Sequence, residues 1–119
     1  MPMTLHDEGG NVFRVEVRGT LRKVDLDRGQ NALAAEITRL GTVKLLFVLE
    51  GFDGWEPTDN WSDLSFYVKH GDTIQRIAIV GDARWRSEAL MFAGADLRKA
   101  PVEFFPGHAV ADARVWLSA

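Results

Sequence analysis

The sequence contains no cysteine, which removes disulfides, thiolate nucleophiles and cysteine zinc sites together. It has only three histidines, His6, His70 and His108. Each falls in a different predicted element, and no metal-ligand spacing joins them to an acid, so they are read as solvated surface residues and no metal is expected. Basic charge is in short supply. Lys and Arg number 14 against 17 Asp and Glu, a formal net charge of -3, which argues against a general nucleic-acid binder. No apolar run approaches the roughly 20 residues that cross a bilayer. Met1 is not followed by the basic and apolar segments of a secretion signal. No repeat, low-complexity tract or linker divides the chain. These absences predict one domain over residues 1–119, cytoplasmic or at most peripheral at the inner membrane surface.

What is present is an ordinary globular composition, 46% hydrophobic and 26% charged. Thr4 to Asp7 fits a short edge strand, and Glu8-Gly9-Gly10-Asn11 is hairpin-turn chemistry, since Gly and Asn tolerate positive φ. Val12 to Arg18 alternates, with Phe13, Val15 and Val17 on one face and Arg14, Glu16 and Arg18 on the other. From about Asp25 to Leu40 the period becomes helical, with a stripe of Leu26, Leu33, Ile37 and Leu40 and a stop at Gly41. Gly29 inside this helix costs about 1 kcal/mol against Ala. Ile74 to Val80 reads as a buried strand, Ala83 to Ala93 as a helix, Val102 to Phe105 as a short strand, and the segment carrying Ala109, Ala113, Trp116 and Leu117 as a final helix. The predicted order is β-β-α-β-α-β-α-β-α: an α/β fold whose mixed, mostly parallel sheet has about five strands and four helices.

The chain is organised around Val43 to Trp61. Val43 to Leu49 is an apolar run suited to a strand buried on both faces. Glu50 to Pro57 is expected to be the loop beyond its carboxyl end, where ligands collect in open α/β sheets. Pro57-Thr58-Asp59 then caps a helix running to about His70. The loop has no phosphate-cradling glycine pattern. Asp53 and Glu56 are a candidate acid–base pair, but in a water-facing loop they lack the environment catalysis needs. Ser62, Ser65 and Ser87 lack a nucleophile elbow. No catalytic residue and no cofactor are expected.

Particular residues carry a resemblance. They are Val15-Glu16-Val17-Arg18-Gly19, Lys44 to Leu49 with Phe52, Gly54 and Trp55, Trp61 to Phe66 running to Lys69-His70, Arg76 to Asp82 with Trp85, and Ala113 to Leu117. Over nearly its whole length the chain resembles the SpoIIAA-like family of the STAS/SEC14 (CRAL-TRIO-like) group. The SEC14-like side of that resemblance implies a nonpolar or lipid ligand and no catalysis. The STAS side implies a protein-interaction or regulatory module, whose phosphorylatable Ser has no counterpart here, because Glu50 to Trp55 contains no hydroxyl. The Thr that the family places before the first helix is Arg22 in this chain.

Phe52, Trp55, Trp61, Phe66, Trp85 and Phe92 form the candidate ligand or partner site. Trp61, Trp85 and Phe92 fit ordinary core closure, since aromatics dominate burial. Phe52 and Trp55, in the polar loop, and Phe66, on a polar helix face, stand open between core and an exposed cluster that marks a ligand or partner. Helical geometry puts Trp61, Leu64 and Val68 on one side and Phe66 opposite, on the wet side. Arg84 and Arg86 beside Trp85 suit contact with lipid phosphates. The expected partners are a nonpolar small molecule or lipid, with a homodimer and a peripheral membrane contact as alternatives.

Overall fold

Gly9, Gly10 and Asn11 all take positive φ, at 83°, 58° and 63°, and this left-handed run folds β1 (Met3–Gly9) back on β2 (Val12–Leu21) as an antiparallel edge hairpin. The computed structural model describes residues 3–61 and 65–119, with Tyr67 described by its backbone alone. After the hairpin come α1 (Lys23–Leu40), β3 (Val43–Trp55), α2 (Ser65–His70), β4 (Ile74–Gly81), α3 (Arg86–Phe92), β5 (Val102–Pro106) and α4 (Val110–Ser118). Short 3-10 turns, Gly71–Thr73 and Ala83–Trp85, precede β4 and α3. The sheet order is β1-β2-β3-β4-β5, parallel from β2 onward.

Because that order never reverses, crossovers of one hand set α1, α2 and α3 on the same face of the sheet. Leu33 and Ile37 of α1, Phe66 of α2 and Ala89 and Ala93 of α3 share one apolar cluster with Phe13, Leu45, Ile77 and Ile79. The last helix crosses back to no strand and covers the other face, where Ala113 and Leu117 pack on Leu46, Ala78 and Val80. Its C-terminal carbonyls are held by two cations from the sheet: Lys44 Nζ donates to Leu117 O at 2.6 Å and Arg76 to Trp116 O at 2.7 Å. Arg114 of the same helix pairs with Glu8 of the hairpin.

Three local expectations are corrected. The segment from Glu50 is not a loop: β3 continues to Trp55, and Gly51 and Gly54, at φ 60° and 101°, absorb the register shifts that face Gly19 of β2. Asp59 does not cap α2, which begins only at Ser65. Its carboxylate instead accepts from the backbone N–H of Lys23 at 2.9 Å and from Arg22 Nε at 3.0 Å. It therefore caps α1 from a distant part of the chain, in place of the side-chain cap that Arg22 lacks. The third correction is the face of α2. Val68 is 80% exposed, whereas Phe66 packs on the main cluster. The proposed neighbours Ser62, Asp63 and Leu64 lie outside the described residues.

The Asp59 cap and the Glu8–Arg114 link carry a pH dependence. Arg22 and the Lys23 amide hold Asp59 below its ordinary 3.8, and Arg114 foremost holds Glu8 below its ordinary 4.5. The folded chain thus binds fewer protons than the unfolded chain in that range. The stabilisation is complete above the ordinary values and is lost as pH falls through the depressed ones. The thermal midpoint is expected to fall between about pH 5 and pH 3, and Asp59→Asn to flatten part of that slope. An unchanged slope in Asp59→Asn would refute the cap.

Candidate functional site

Three crossover helices share one face, but they are unequal. The outer α1 has 18 residues and the middle α2 has six, or about 27 Å against 9 Å of helix. The short middle helix leaves a strip of sheet between α1 and α3 only partly covered. A cavity of about 500 Å³ lies there, floored by Val15, Leu45, Phe47 and Ile77 and walled by Leu26 and Leu33 of α1 and Phe92 and Ala93 of α3. It does not lie beyond the carboxyl ends of the strands, as expected from open α/β sheets. That crevice needs a reversal of strand order, and this sheet has none.

Four of the six candidate aromatics meet at this cavity: Trp55, Trp61, Phe66 and Phe92 all line it. Phe92 is their hub, with its ring 5.4 Å from Trp55 and 5.9 Å from Trp61. Trp61 is fixed at its polar end, where Nε1 donates to Glu56 O at 2.8 Å. Phe66 stacks on the His70 ring at 4.9 Å. The Trp55 indole N–H is buried, with no hydrogen-bond partner among the described residues.

Phe52 and Trp85 stand behind this wall. Phe52 is 4% exposed, contrary to its placement in a polar loop, and meets Trp55 and Trp85 edge-on at 4.9 and 5.1 Å. It is core because the strand runs on past Glu50 and turns every second side chain inward. Trp85 approaches the backbone so closely that a Cβ at Gly54 would sit 3.1 Å from its ring. Arg84 covers its outer side at 4.9 Å, so this ring is enclosed rather than offered to a bilayer.

The sequence reading missed the α1 wall and Met3. A Cβ on Gly29 would lie 2.7 Å from Met3 Cε, so the glycine makes room for the thioether against the helix. A glycine inside a helix is the signal that could have found it.

Polar groups sit at the rim. Lys23 pairs with Asp27 one turn on, and Arg98 donates to the Ala93 and Gly71 carbonyls at 2.6 and 3.5 Å. Glu88 is exposed there. Asp53 is exposed, and the Glu56 carboxylate accepts from Thr58 Oγ1 at 3.1 Å, so the suggested acid–base pair does not assemble at the cavity. His6 lies beside Glu16 and His70 under Phe66, in separate elements. Among the described residues no group of three or more His, Cys, Asp or Glu is placed to hold a metal ion, and no helix is long and apolar enough to cross a membrane. The arrangement can enclose an apolar molecule; it offers no assembled acid, base or nucleophile.

A family model described as SpoIIAA-like matches residues 12–118. Among solved structures, the chain is similar to an uncharacterised protein of the DUF3478 family with a SpoIIAA-like fold from Shewanella loihica PV-4. The TM-score is 0.71 at 22% identity, over 97% of this chain and 91% of that one. At that identity the likeness is one of fold. A search of curated proteins gives no match.

Proposed function

We propose that this chain, which belongs to the SpoIIAA-like family, binds a nonpolar molecule such as a lipid or fatty acid between its sheet and its crossover helices, without catalysis. The SpoIIAA-like fold supports a protein-interaction or regulatory module, and the ligand reading adds an occupant to it. One observation carries the reading: the cavity of about 500 Å³ over Leu45, Phe47 and Ile77. That volume is of the order that houses small ligands, roughly 300–1,000 Å³. A well-packed core leaves few voids larger than a water molecule. Four aromatic rings from three separate stretches converge there, and the polar groups are confined to its rim.

Native mass spectrometry of the chain purified from its host is expected to show added mass. Titration with a fatty-acid panel should quench the fluorescence of Trp55 and Trp61. Leu26→Trp, which fills the cavity from α1, should abolish uptake by calorimetry while leaving the melting temperature at or above that of the parent. A clean apo mass, together with no response across the panel, would dismiss the ligand.

The interaction reading without a ligand draws its support from the exposed Val68, Met91 and Leu97. It does not involve a phosphorylated hydroxyl in the Glu50 to Trp55 segment, because that segment has none and is strand with Phe52 turned into the core.

A further inference from the structure

We propose that the mouth of this cavity docks on an uncharged lipid surface and takes up its ligand there. This rests on the ligand reading above and adds the phase from which the ligand comes. Met91 and Leu97 line the cavity, yet they are 77% and 65% exposed. They extend the apolar lining from the sheet out into solvent without a polar break. Val68 adds to this surface: Phe66 is turned into the cavity, and a two-residue step rotates about 200° around a helix, so Val68 points away from the sheet. Large apolar side chains left in water around the entrance of an apolar cavity mark a surface that is dry when the protein works.

The occupant of that surface follows from the ligand. A molecule that fits an apolar cavity of this size has little free concentration in water. It must be collected from the phase that dissolves it, and the apolar lining reaches out to meet that phase. The charges around the mouth decide which lipid surface fits. Exposed Lys69, Arg84, Arg86 and Lys99 are interleaved with exposed Asp72, Asp82, Glu88 and Asp96, in a chain of net charge -3. Anionic headgroups are drawn by clusters of roughly four to eight cations without such acids among them. Insertion of the apolar rim is therefore the driving term, and salt has little to screen.

The test is flotation of the full chain with phosphatidylcholine vesicles at low and high salt, alongside calorimetric titration with decanoate in vesicle-free buffer. The parent chain is expected to float equally at both salts. The double variant Met91→Ser, Leu97→Ser should lose roughly tenfold or more in partitioning, with its melting temperature and decanoate binding unchanged. Decanoate binding without flotation would overturn the docking and leave the cavity reading standing. So would flotation that needs phosphatidylserine and disappears in salt, or a double variant that still floats. A concentration-dependent dimer abolished by the double variant, with no flotation, would assign the rim to a second copy of the chain. Failure of the parent to bind decanoate would remove the cavity reading and the docking with it.

Discussion

Phe52→Ala is expected to lower the free energy of unfolding by about 3–5 kcal/mol, the cost of deleting a buried ring and leaving its cavity. Phe52 is 4% exposed among Val15, Val17 and Leu21. It also sits edge-on to Trp55 and Trp85, contacts that add to plain burial. Removing it loosens both indoles, and Trp55 is a wall of the cavity, so ligand uptake should weaken as a secondary effect. Chemical denaturation monitored by tryptophan fluorescence gives the number. A change under about 1 kcal/mol, as surface substitutions give, would return Phe52 to the exposed site the sequence reading assigned it.

The strands were legible in the sequence wherever alternation and burial agreed. Val12 to Val17 shows its inward Phe13, Val15 and Val17 and outward Arg14 and Glu16 directly. The turn at Gly9 to Asn11 is equally plain, because those residues are the ones that accept positive φ. Glu50 to Trp55 was misread because its glycines look like a loop, whereas here Gly51 and Gly54 permit bulges within a continuing strand. Half-buried strand ends rich in glycine carry no periodicity from which to tell the two apart. The residues of the candidate site were partly legible as an excess of aromatics. The cavity itself was not. It arises from the length of α2 relative to α1, and from the start of α2 at Ser65 rather than near Asp59. Asp59 has the residue type of a helix cap and does cap a helix, but one 36 positions away in sequence; local pattern cannot reveal a partner at that range.

Phe66 is where the phase of α2 can be decided by experiment. Counting a helix from Asp59 put this ring on the side facing water, with Val68 inside. The structure has the reverse, with Val68 exposed and Phe66 half-buried against the main cluster, over His70 and at the cavity wall. Phe66→Ala is therefore expected to cost about 2 kcal/mol, roughly half of what a fully enclosed Phe would. It should also weaken uptake of a nonpolar ligand about tenfold, since the ligand loses the ring that covers it. Phe66→Leu should recover most of the stability and part of the uptake, because it restores apolar volume without the flat ring face. Val68→Ala should leave both within error, as exposed sites do. Thermal melts and calorimetry on the three variants settle it. A stable Phe66→Ala beside a destabilised Val68→Ala would reverse the helix and place the ring in solvent, whereas a destabilised Phe66→Ala with full uptake would make the ring core packing and remove it from the site.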